Sequence, residues 1–222
     1  MRTPVCTVAL LALLVLGVSA DVPPAGKDKD APPPGKEAPK DEPSKDEGDP
    51  ADLPGSFHPY NVTGPHKGRF HCLISEHGLD PMVMIFHKNV EFGDPLPDLL
   101  KKLDTAIEKN PSVRLGSFVV FLPEDLPDLV GTNDANDDAR LELEKKVERA
   151  GADMKLKHVV LCLDSKDDVE KYNLRADDLV TIILYNKLKV VAKFTLPKSE
   201  FTGAAVEKVL AAVADKLGLK RG

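Results

Sequence analysis

Cys72 is the residue whose type and surroundings best suit chemistry. It lies in the stretch GRFHCLISEHGLDPMVMIFHK, residues 68–88, and five of the six histidines fall in or just before it: His58, His66, His71 and His77, with His87 at its far end. The segment Cys72-Leu73-Ile74-Ser75 has the spacing of a Cys-x-x-Cys in which serine replaces the second cysteine. On one helical turn Ser75 shares a face with Cys72 and can donate a hydrogen bond to its thiolate. Protonated His71 or His77 would favour the thiolate, and Glu76 would oppose it. Such a thiolate attacks a disulfide and holds the mixed product, because no resolving cysteine is adjacent. Cys72 and Ser75 are therefore the candidate catalytic pair. A small, partly buried residue in a turn is the competing account of the same cysteine.

The histidines open a second chemistry. His71, Cys72 and His77, with His58 or His66 in reach, offer soft and borderline ligands suited to copper or zinc. Their spacing matches no zinc motif, and scattered surface histidines are the competing account. No other cofactor is implied. Cys162 sits inside HVVLCL, residues 158–163, where both faces are apolar, so it reads as inert core. Asn61-Val62-Thr63 has the pattern of a glycosylation sequon. Residues 124–138 form an acidic stretch that lacks the residue spacing and terminal glutamate of a calcium loop, so a solvated loop is expected there.

The elements that must position these residues follow from periodicity. Phe57 to Val62 reads as a short strand, and Met82 to Phe86 as a strand covered on both faces. Leu96, Leu99, Leu100, Leu103 and Ile107 fall at helical spacing, entered through Pro95 and Pro97 and ended by Asn110-Pro111. Ser117 to Leu122 is a second buried strand. Ala139, Leu143, Val147 and Ala150 mark the next helix, with Gly151 as its expected stop. His158 to Leu163 is a third strand, and Ser165-Lys166-Asp167-Asp168 has the form of a capping box opening a short helix with Val169 and Tyr172. Leu179 to Tyr185 and Val190 to Phe194 form a hairpin around Asn186-Lys187-Leu188. A last helix buries Val206, Val209, Leu210, Val213 and Leu217 before Gly218. The core is expected to include Leu99, Leu103, Val119, Val160, Ile183 and Val209. Alternating strands and helices give an α/β fold with a central, mostly parallel sheet, helices on both faces and an antiparallel hairpin near the C-terminus.

At chain level, 222 residues allow one ordinary domain with appendages. Residues 1–20 read as a secretory signal, with Arg2, an apolar run from Val8 to Val18 and Val18-Ser19-Ala20. Cys6 leaves with it. Residues 21–55, rich in Pro, Lys and Asp, lack core-forming side chains and read as a disordered tether. The domain then spans residues 56–222. Export to the periplasm or beyond is expected, with no membrane attachment after cleavage. A net charge of −6 with no basic block argues against nucleic acid.

The element order, with the segments SFVVFL, HVVLCLDSKDDVEKYNL and LVTIILYNKLKVVAKF, resembles the thioredoxin-like superfamily, in the branch of peroxiredoxins and cytochrome-maturation thioredoxins. The stretch YNVTGPHKGRFHC is similar to that of secreted bacterial thioredoxin-like proteins with a Cys-x-x-Cys there. The resemblance covers residues 81–217 and implies a thioredoxin-like fold with a redox cysteine just after the first central strand. Here that connection, residues 87–95, holds no cysteine, and Val180 stands where a cis-proline would precede Thr181. Three functions remain open. One is a divergent thiol-disulfide protein acting through Cys72 on a protein thiol or disulfide partner. The others are a non-catalytic binding or scaffold domain and a copper- or zinc-binding accessory protein.

Overall fold

The computed structural model describes residues 51–124 and 134–219, with side chains of the 134–154 helix described from Asp138 onward. The expected signal, most of the tether and most of the acidic loop lie outside those residues. Seven strands form one sheet in the order β2-β1-β5-β4-β3-β6-β7. They are β1 Tyr60–Asn61, β2 Arg69–Phe70, β3 Met82–His87, β4 Gly116–Phe121, β5 Val159–Leu163, β6 Asp178–Asn186 and β7 Lys189–Pro197. The central pairs β3–β4 and β4–β5 are parallel, and every outer pair is antiparallel.

Four helices accompany them: α1 Leu73–His77, α2 Leu96–Lys109, α3 Asp134–Met154 and α4 Gly203–Lys216. The steps β3-α2-β4 and β4-α3-β5 move the same way along the sheet. Right-handed crossovers therefore place both helices on one face. The pleat divides the core accordingly. Val83, Ile85, Val119, Phe121, Leu161 and Ile182 point to the face covered by α2, α3 and α4. Met84, Phe86, Phe118, Val120, Cys162 and Ile183 point to the face covered by α1, Val169, Tyr172 and Phe57. All six expected core residues are buried.

Several local expectations need correction. Gly151 does not end its helix, which runs on to Met154 before Lys155 turns left-handed at φ 57°. A Cβ at Gly151 would lie 3.2 Å from Leu161 and 3.3 Å from Thr63, so this glycine lets α3 approach the sheet. Ala139 is exposed, which narrows the packed stripe of α3 to Leu143, Val147 and Ala150. The capping box forms, with Ser165 Oγ donating to Asp168 Oδ2 at 2.7 Å and accepting from the Asp168 N–H at 3.2 Å. It opens a 3-10 turn, Asp167–Tyr172, in place of an α-helix. The first strand shrinks to two residues. Residues 51–55 belong to the fold although they read as tether: Leu53 N–H donates to Leu188 O at 2.9 Å, and Val190 N–H to Ala51 O at 2.8 Å.

Candidate functional site

The first candidate lies where the chain enters β3. Cys72 is the N-cap of α1, and its sulfur accepts from the Ser75 N–H at 3.3 Å and the Ser75 hydroxyl at 3.1 Å. The Cys-x-x-Ser geometry expected from the sequence is therefore formed. Accessibility is not. Cys72 is only 4% exposed and belongs to the cluster with Met84, Phe86, Tyr172 and Tyr185. Burial pushes both tyrosine hydroxyls up, and negative charge on Cys72 would push them further. Tyr172 donates to Gly55 O, which fastens residue 55 over this side of the domain.

The histidines do not gather around Cys72. His66 and His71 stack with ring centroids 3.6 Å apart, and both Nε2 atoms face Glu76, at 3.3 Å from Oε1 and 3.1 Å from Oε2. His77 turns towards the starts of β3 and β4, where a Cβ on Gly116 would meet its ring at 2.7 Å. Burial lowers its pKa, with Glu76 and Asp80 opposing. The set His71, Cys72, His77 is thus split: one ligand outward, one in the core, one against the sheet. His58 is exposed and joins none of them. Cys162 is fully buried, donates to Asn61 Oδ1 at 3.2 Å, and its thiol is pushed up by burial. Asn61 of the sequon is itself buried within the sheet.

The second candidate lies at the opposite, carboxyl ends of β3 and β4. A cavity of about 420 Å³ opens there. Its apolar lining includes Phe86, Leu122, Val169 and Leu174, and Lys88, Glu124, Lys166 and Arg175 supply charge. Glu124 Oε1 joins two cations, Lys166 at 3.1 Å and Lys88 at 3.4 Å. Their hydrogen bonds hold its carboxyl below the usual range. Lys88 also donates to Ala176 O at 2.8 Å, tying the end of β3 to the segment before β6.

No protein-family model matches the sequence, and no curated protein matches it. Solved structures do. One is a Chlorobium tepidum protein assigned as a thiol:disulfide interchange protein, DsbE, at 15% identity and a TM-score of 0.51, covering 77% of this chain and 99% of that one. A second is an uncharacterized conserved protein from Geobacillus kaustophilus, at 15% identity and 0.51, covering 78% and 86%. A third is the bacterioferritin comigratory protein of Xanthomonas campestris, studied for alkyl peroxide reduction, at 11% identity and 0.50, covering 76% and 99%. The fold is thioredoxin-like.

In this thioredoxin-like domain the carboxyl end of β3 carries His87, paired in register with Val180 of β6. His87 is buried, its Nδ1 lies 2.6 Å from Asn89 O, and burial lowers its pKa. Two strands away, Asp164 follows β5 and is 2% exposed. Burial pushes its carboxyl up to about 7, with the nearby Asp168 charge adding and the Ser165 N–H, donating at 2.9 Å, opposing. Its other oxygen meets no hydrogen-bond partner among the described residues.

Sequence reasoning did not find this carboxyl-end site. Lys88, Glu124 and Lys166 are far apart in the chain, and only the register of β3, β4 and β5 brings them together. The usable signal was the fold itself, since open sheets take ligands at the carboxyl ends of their parallel strands.

Proposed function

We propose that this protein is an exported, non-catalytic thioredoxin-like binding domain that holds its ligand in the cavity at the carboxyl ends of β3 and β4. The carrying observation is that cavity: about 420 Å³, apolar in its depth, charged at its mouth, with no cysteine among its lining residues. Its size and mixed lining suit a small amphipathic ligand or the side chains of an extended peptide. Nothing in it can attack a disulfide. Both cysteines of the domain are buried elsewhere. Export rests on the sequence of residues 1–20.

A peptide-display library panned against the domain, in parallel with an Ala176→Trp variant, tests this reading. Ala176 is exposed and lines the cavity, so tryptophan there would fill the mouth without entering the core. Ligands that bind the wild type and lose at least tenfold in affinity for the variant support the reading. Ligands indifferent to Ala176→Trp place binding elsewhere and overturn it.

One observation favours a second reading, thiol exchange through Cys72. Ser75 gives its sulfur two hydrogen bonds, as a thiolate would require. Attack on a partner's disulfide would then first need Tyr172 and the residue 55 segment to swing aside. An added aromatic disulfide that forms a mixed disulfide with the wild type, releasing one equivalent of aryl thiol, but not with a Cys72→Ala variant would establish that activity and displace the binding-only account.

A further inference from the structure

We propose that His66, His71 and Glu76 form a zinc site with three protein ligands and an open fourth position. The Nε2 atoms of the two histidines face the two oxygens of one carboxylate, at 3.3 and 3.1 Å. A tetrahedral zinc ion with bonds of about 2.0–2.1 Å holds its ligand atoms about 3.3 Å apart. The two contacts run to different oxygens, as hydrogen bonds do, but one ligand atom from each of the three residues lies within 4.8 Å of the others, and the stacked rings need only splay for both Nε2 lone pairs to meet on one ion. Two imidazoles and a carboxylate are a donor set suited to zinc, and three protein ligands leave the fourth position for water.

The backbone holds these side chains before any metal arrives. His66 lies in the turn between β1 and β2, closed by Gly68 N–H donating to Asn61 O at 2.8 Å. His71 N–H donates to Pro59 O at 3.2 Å, and Glu76 N–H to Cys72 O at 3.1 Å, within the short helix capped by the Cys72 sulfur. The three side chains are about one-third exposed, at 30%, 34% and 35%, so an ion can enter and keep a water. The ligands arise from sequence positions 66, 71 and 76, a spacing no short zinc motif describes, and Cys72 takes no part.

Titration of the metal-free full chain with Zn²⁺, read by competition with a chromophoric chelator, tests the site. The expected result is one equivalent bound, with affinity falling at least tenfold in each of His66→Ala, His71→Ala and Glu76→Gln. His58→Ala should stay within about twofold of the wild type. Co²⁺ at the same site should give the intense visible absorption of tetrahedral coordination. The inference is overturned by the absence of a one-equivalent step, by an unchanged affinity in the folded His71→Ala protein, or by the weak spectrum of an octahedral Co²⁺ ion. Circular dichroism of each variant separates lost ligands from lost structure.

Discussion

At the amino ends of β3 and β4 the chain packs a cysteine and two tyrosines into a closed cluster. At the carboxyl ends of the same strands it leaves a cavity ringed by lysine, arginine and glutamate. The residues that invite a chemical reading from sequence are at the first end, and the space for a ligand is at the second. Reactive residue type and reactive position are therefore separate properties of a chain. Cys72 is held by Ser75 in a geometry that suits a thiolate, yet the packing of Tyr172 and Tyr185 denies it a partner. Lys88, Glu124 and Lys166 are unremarkable one by one, yet they frame the open end of the fold.

The largest expected effect lies at the carboxyl end. Asp164 keeps a proton in the folded state up to about pH 7, whereas its ordinary carboxyl value is 3.8. The folded protein thus binds a proton that the unfolded chain has released, so this group's contribution to stability falls as pH rises between about 4 and 7. The full difference corresponds to roughly 4 kcal/mol. Urea unfolding of wild type and Asp164→Asn at pH 5 and pH 8 isolates it. The variant should gain stability relative to wild type at the higher pH by an amount of that order. Equal pH slopes would show that the carboxyl ionises normally and that this end is wetter than described. His77 and His87, whose pKa values burial lowers, act in the opposite sense, because the folded state disfavours their protonation as pH falls below about 6.5.

The amino end should answer to a different residue. Asp104 of α2 is buried, and one of its oxygens accepts three N–H groups at the entry to β5, from Lys157 at 3.0 Å, His158 at 2.7 Å and Val159 at 3.0 Å. Asp104→Ala orphans those donors and should cost about 3 kcal/mol, measured by denaturant unfolding. A loss below about 1 kcal/mol would mean that water replaces the carboxylate and that this end is looser than its packing indicates.

The closeness of that packing has its own test. A Cβ at Gly116 would lie 2.1 Å from Met82 Sδ and 2.7 Å from the His77 ring. Gly116→Ala should therefore cost about 1–3 kcal/mol through overpacking. A neutral substitution would show that Met82 and His77 can move apart, and with them the cover over α1. The smallest effect is expected at Ser75, whose hydroxyl makes one bond to the Cys72 sulfur. Ser75→Ala should cost about 1 kcal/mol, visible as a small shift of the unfolding midpoint.

The division between the two ends also marks what the sequence could disclose. Strands β3 to β7 and helices α2 and α4 were legible, because the continuous apolar run in SFVVFL or the Leu96-Leu99-Leu100-Leu103 stripe is a local consequence of burial. The capping residues Ser165 and Asp168 were legible for the same reason. The closure over Cys72 was not, since Gly55 and Tyr172 meet across more than a hundred residues. Asp104 was equally silent: a carboxylate inside a helical pattern reads as solvated until its N–H donors from β5 are in place. Residues 51–55 were read as tether because composition gives no sign that their backbone would pair beside β7.

The most direct test of the account is the rate at which Cys72 is alkylated in the folded domain, with Cys162→Ala removing the other thiol. If the amino end is closed, alkylation proceeds only through local opening. The native rate should then lie at least about 100-fold below that of the same protein in denaturant, as an opening free energy of roughly 3 kcal/mol requires. A native rate within a few-fold of the denatured one would contradict the account and return the chemistry of this domain to Cys72.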